Sequence, residues 1–133
     1  MGEKFKYLSP EWRNEVEKRL KSEITPEKMN NITVSSSYIY QNCPDGREPY
    51  LLFKYVDGSL TELTLGEGEC PEVNFKIYGE YDTISKITRG ELGSLKALMT
   101  GKLKLKGNMV KALKLASIAD KVNKVLSTIP TEY

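Results

Sequence analysis

Lys102, Lys104, Lys106 and Lys111 are the residues whose type and spacing best support a chemical task, and that task is holding an anion. From Leu92 to Leu126 there are eight lysines against Asp120 alone, a local charge of +7 in a chain of net +2, which leaves −5 over the remainder. Charge polarised in this way draws anionic lipid headgroups or a nucleotide-bearing ligand to one half of the chain. Exposed lysine is also the ordinary way to solvate a face.

Catalysis has little to work with. There are 0 histidines, which removes His-dependent triads and most zinc sites. Carboxylates stand near predicted loops at Glu67, Glu69, Glu80 and Asp82, but no nucleophile or base is paired with them. Cys43 and Cys70 are each followed by proline and read as loop residues. Two thiols cannot make a tetrathiolate site, and a bridge between them requires both loops to share one end of a sheet. The chain therefore reads as a non-enzyme with no metal and no cofactor.

The elements that must position the lysines follow from periodicity. Ser9-Pro10 opens a helix whose Trp12, Val16 and Leu20 make a core-facing stripe. Thr25-Pro26 starts a short turn that Asn30 and Asn31 end. Residues 32–40 and 50–56 read as neighbouring strands, and Asp57-Gly58 is a two-residue hairpin signal leading to a third strand, 59–65, with Thr61, Leu63 and Leu65 facing inward. Residues 66–71 read as a loop. Val73, Phe75 and Ile77 share one face of a fourth strand, Asp82 caps a helix carrying Ile84 and Ile87, and Ser94 caps another carrying Leu95, Leu98 and Met99. A helical stripe through Ile118, Val122, Val125, Leu126 and Ile129 closes the chain.

Residues 101–115, GKLKLKGNMVKALKL, change period within one run. Leu103 and Leu105 alternate with the lysines as a short strand, and from Met109 the apolar spacing is helical, with Asn108 placed to cap it. This segment closely resembles the carboxy-terminal signature of the sterol carrier protein 2 (SCP-2) family, Gly-Lys-Leu-Lys-Ile-x-Gly-Asn-Met followed by a helix with Ala and Lys-Leu. The likeness extends more weakly over nearly the whole chain, as a stand-alone domain. It implies an α+β fold, with about five mostly antiparallel strands, helices over one face and an apolar tunnel for acyl chains or other lipids. Leu103, Leu105, Met109, Ala112 and Leu113 match the tunnel floor and its helical wall. Phe75, Ile77, Leu95, Leu98, Met99, Ile118 and Val122 complete the expected lipid-binding set. Where animal members often carry glutamine after the Lys-Leu pair this chain has Ala116, and it ends Thr131-Glu132-Tyr133 rather than in the Ser-Lys-Leu peroxisomal address common among them.

The implied function is non-catalytic binding of a fatty acid, acyl-coenzyme A or similar lipid, with transfer between membranes or to a lipid-metabolising enzyme. An alternative is an accessory subunit that presents acyl groups to a thiolase- or dehydrogenase-type enzyme, since the family's domain occurs fused to such partners. Nucleic-acid binding competes weakly through Tyr38, Tyr40, Tyr55 and the lysines, but the small net charge and the lack of an RNA or DNA motif count against it. At 133 residues a single domain over residues 1–133 is expected. No apolar run approaches the roughly 20 residues of a membrane span. Met1 to Leu8 lacks the apolar core of a secretory signal, so a cytoplasmic location is the expectation.

Overall fold

The computed structural model describes residues 4–133; Met1, Gly2 and Glu3, part of the segment read for a signal, lie outside the described residues. Five strands form one sheet in the order β4-β3-β2-β5-β6: β2 (Val34–Gln41), β3 (Pro49–Val56), β4 (Ser59–Glu67), β5 (Phe75–Glu80) and β6 (Lys104–Lys106). All neighbouring pairs are antiparallel except β2 with β5, which run parallel with Tyr38 opposite Ile77. The helices among the described residues are α1 (Pro10–Glu23), α2 (Tyr81–Thr88), α3 (Ser94–Met99) and α4 (Met109–Ser127), with a 3-10 turn at Glu27–Met29. Two further strands, β1 (Phe5–Lys6) and β7 (Thr131–Glu132), pair in parallel and tie the amino-terminal segment to the carboxy-terminal one.

Local chemistry sets the helix starts. Ser9 Oγ accepts from the Trp12 amide at 3.2 Å with proline at the head of α1, and Asn108 Oδ1 accepts from the Lys111 amide at 3.0 Å at the head of α4. Trp12, Val16 and Leu20 are fully buried or nearly so, as their spacing predicts. The other two expected caps shift by a residue or two. Glu80 rather than Asp82 precedes α2, and Gly93 rather than Ser94 precedes α3, and neither supplies a side-chain cap.

The hairpin between β3 and β4 turns on Asp57 and Gly58, with φ of 50° and 82°, and the Gly58 amide donates to Ile32 O at 2.7 Å. A side chain at Gly58 would run into the Pro26 backbone, so glycine is needed for space as well as for φ. One β4 expectation fails here. The register slips between Lys54 and Tyr55, pairing Lys54 with Glu62 but Tyr55 with Leu60, and leaves Thr61 as the extra residue of a bulge. Thr61 is therefore exposed, and Leu60 packs against the core in its place. β4 also continues through Gly66 and Glu67, which the sequence suggested were already loop.

The main core lies between the sheet and its helical cover, joining Trp12, Val16 and Leu20 of α1 with Leu51, Phe53 and Tyr55 of β3, Leu63 of β4, and Ile118, Val122 and Leu126 of α4. A smaller cluster gathers Tyr50, Leu52 and Cys70 with Ile39 and Val73. Val73 thus precedes β5 and packs apart from Phe75 and Ile77. Cys43 and Cys70 are both free thiols.

Candidate functional site

An apolar cavity of about 100 Å³ opens between the sheet and α4. Its sheet wall follows from period two: Val34, Ser36 and Tyr38 alternate along β2, Phe53 and Tyr55 along β3, and Phe75 and Ile77 along β5, so all seven present one face. Its helical wall follows from the helix period, with Ala112, Leu115, Ile118, Ala119, Val122 and Asn123 on one side of α4. Met29, Ile32, Ser94, Leu98 and Leu103 complete the lining. Among the described residues no Asp, Glu, Lys or Arg lines this space.

Of the twelve residues expected to line a tunnel, the structure places Phe75, Ile77, Leu98, Leu103, Ala112, Ile118 and Val122 on the cavity wall. The other five stand elsewhere. Leu105 and Leu113 are half-buried away from the lining, while Leu95, Met99 and Met109 are exposed at 42%, 72% and 45%. The reason for Leu113 is angular, because one position past Ala112 lies about 100° around the helix. For Leu95 and Met99 the sequence shows that they share a face of α3, but the helix turns Ser94 and Ala97 inward instead.

Tyr38, Phe53, Tyr55, Ser94 and Asn123 are wall residues outside the expected set, as are Met29, Ile32, Val34, Ser36, Leu115 and Ala119. The alternation of residues 34–38 and 53–55 was the available signal. Asn123 Nδ2 donates to Tyr38 Oη at 3.4 Å and to Ser94 Oγ at 3.5 Å, long contacts that form a polar point on the wall. Asp120 Oδ1 accepts from the Ser94 amide at 3.1 Å and fixes the start of α3 against α4. Burial raises the Tyr38 phenol above its ordinary value, the bonds to Asn123 and Ser94 working against that and the nearby Asp120 charge adding to it. Burial alone pushes the Tyr55 phenol up to about 12.

Beside the cavity a groove of about 400 Å³ runs between β2, β5 and α4, lined by Thr33, Asn74, Asn108 and Lys111 together with Ile32, Val34, Phe75 and Leu115. The last four also line the cavity, so they are walls common to both spaces. Lys111 overlooks this groove, and Lys102, Lys104 and Lys106 are exposed before and along β6. Gly107 makes the turn from β6 to α4 with φ of 144°, and a side chain there would collide with Asn74 O and Phe75.

The fold is thus a sheet with a helical cover, enclosing a mostly apolar cavity with no charged wall residue among those described. The chain belongs to the SCP-2 sterol transfer family, whose model matches residues 14–120, and lipid binding and transfer is the class of activity that this membership implies. Among solved structures it resembles a crystal structure of sterol carrier protein 2, with TM-score 0.80 and 22% identity, covering 93% of this chain and 99% of that one. A conserved hypothetical protein from Thermus thermophilus matches with TM-score 0.80 and 21% identity over 98% of this chain and 94% of that one. Palmitated SCP2L2 from Aedes aegypti matches with TM-score 0.58 and 19% identity over 83% of this chain and 93% of that one. No curated protein matches the chain. At these identities the likeness to solved structures shows the fold, an α+β domain of the SCP-2 type with a five-stranded, mostly antiparallel sheet. No helix among the described residues is long and apolar enough to cross a membrane.

Proposed function

We propose that this chain is a non-catalytic carrier that takes a fatty acyl chain, from a fatty acid, acyl-coenzyme A or a similar lipid, into the cavity beneath α4. The observation that carries this reading is the cavity's composition, mostly aliphatic and aromatic, with Ser36, Ser94 and Asn123 as its polar residues and no charged wall residue among those described. A methylene is worth about 0.8 kcal/mol when buried from water and about the same in a bilayer. Exchange of a chain between membrane and protein is therefore nearly balanced, as reversible carriage in the cytoplasm requires. Lys111, beside the groove that shares walls with the cavity, is positioned to contact an anionic headgroup or a coenzyme A phosphate.

Docking falls to the neighbouring surface. Of the exposed large apolar side chains, Leu95, Met99, Met109 and Val110 lie within residues 95–110, and Lys96, Lys102, Lys104 and Lys106 are exposed in the same segment, which holds no acidic residue. Apolar side chains among lysines suit an anionic bilayer surface, where each well-placed lysine adds about 1 kcal/mol. Substituting Lys104→Gln and Lys106→Gln together should weaken partition onto phosphatidylserine-containing vesicles about 30-fold at low salt. Unchanged partition would remove these lysines from the docking surface.

Native mass spectrometry of the purified protein, with extraction of any bound lipid, tests the carrier reading. A stoichiometric acyl lipid is the expected result. An apo mass from a protein that also fails to bind a fluorescent fatty acid would overturn it.

A further inference from the structure

Two buried polar side-chain atoms among the described residues have no hydrogen-bond partner, Trp12 Nε1 and Tyr55 Oη. Trp12 packs in the core away from the cavity, whereas Tyr55 is a wall of it. A buried hydroxyl left unpaired is disfavoured, so such groups in native proteins call for an explanation. Size alone does not provide one. Phe53, two residues earlier on the same strand face, shows that a plain phenyl ring suits this wall, so the oxygen is the part of Tyr55 that packing leaves unexplained.

Tyr55 is only 5% exposed and is fixed between its register partners Val34 and Leu60, so its ring is held in place. No charged side chain among the described residues shares the cavity. A carboxylate or ammonium brought to Tyr55 would be desolvated without a counter-ion, whereas a neutral oxygen gains a bond at little expense. Of the other polar wall residues, Tyr38, Asn123 and Ser94 are engaged with one another, and Ser36 adds a hydroxyl on β2 between Val34 and Tyr38. Tyr38 stands four residues along β2 from Val34, the partner of Tyr55, or about 13 Å of strand. The space between is lined by Phe53, Phe75 and Leu103 among others.

We infer that Tyr55 Oη hydrogen-bonds to an uncharged oxygen of the bound lipid, a hydroxyl or carbonyl, and that the cavity selects oxygen-bearing lipids over bare hydrocarbon. This rests on the carrier reading and adds to it the atom that sets specificity. The test is displacement of a bound fluorescent fatty acid by decan-1-ol and by undecane, in which a methyl replaces the hydroxyl, for the parent protein and for Tyr55→Phe. Decan-1-ol should bind Tyr55→Phe about tenfold more weakly than the parent, with undecane unchanged. The variant should unfold at the same temperature or higher, because it removes an unpaired hydroxyl. Equal losses for both probes would make Tyr55 a shape-setting residue and overturn the proposal. No loss for either would overturn it as well, leaving the hydroxyl to an internal water. If the parent protein binds none of the three probes, the carrier reading itself fails and this inference with it.

Discussion

Ala112→Trp should abolish acyl-chain binding while leaving the protein folded. Ala112 sits on the cavity side of α4, 9% exposed, in the same lining as Leu98, Leu103 and Leu115. The cavity holds about 100 Å³, below the roughly 300 Å³ at which ordinary ligand pockets begin, so a whole chain enters only as the walls give way. An indole rooted at this position occupies the space outright. Excluding even four methylenes at about 0.8 kcal/mol each amounts to about 3 kcal/mol, more than a hundredfold in affinity. Overpacking should lower stability by about 1–3 kcal/mol, which leaves a folded domain to assay. The opposite change is Ile118→Ala. Ile118 is 6% exposed on the same wall, and its truncation should lower stability by about 2–5 kcal/mol while admitting longer or branched chains. Titration of a fluorescent fatty acid series into both variants, with thermal unfolding alongside, reads both effects. Full binding by Ala112→Trp would place the lipid outside this cavity.

What the sequence revealed, and what it hid, divides along the reach of local rules. The α1 stripe, the Asp57-Gly58 hairpin and the change of period across residues 101–115 are properties of a few neighbouring residues, and each appears in the structure where the pattern puts it. The β1–β7 pair was not legible, because two-residue strands carry no period and meet only across the whole chain. Thr61 was misread since a bulge resets the alternation with no local signal. The candidate site was half legible for a related reason. Spacing tells which side chains share a face, but not whether that face meets the sheet or water. Leu95, Met99 and Met109 satisfy the helical spacing and still point outward, and Val110 beside them is 63% exposed. Met29, Phe53 and Tyr55 reach the cavity from segments far from the 101–115 motif; alternation shows that Phe53 and Tyr55 share a face, but not that this face meets α4.

Alkaline pH should unfold this protein steeply between about pH 10 and pH 12. Tyr7, Tyr40 and Tyr55 are buried at 5%, 0% and 5% exposure. Burial is the leading cause that raises all three phenols, Tyr55 to about 12 and the other two well above the ordinary value near 10. Below pH 10 each phenol is protonated in both states, so stability is complete there. Above it the unfolded chain releases these protons while the folded chain keeps them, and stability falls by about 1.4 kcal/mol per pH unit for each phenol until the folded values are reached. These three groups alone remove about 4 kcal/mol per unit, and Tyr38, Tyr81 and Tyr133, whose phenols burial also raises, steepen the fall further, against the 5–15 kcal/mol that holds a typical domain together. The hydroxyls of Tyr7 and Tyr40 form one chain, which adds to the hold on the Tyr40 proton while partly offsetting the effect of burial on Tyr7. Thr88 Oγ1 donates to Ile84 O at 3.0 Å and so accepts from Tyr7 at 3.0 Å, which leaves the Tyr7 oxygen to accept from Tyr40 at 2.6 Å. Tyr40→Phe removes one titrating group and should make the decline shallower by about 1.4 kcal/mol per pH unit, although it lowers stability at neutral pH through the lost bond. Urea unfolding followed by Trp12 fluorescence at pH 9, 10 and 11 measures both slopes. A stability that stays level through pH 11, or a Tyr40→Phe slope identical to the parent's, would show that these phenols ionise in the folded state as readily as in water.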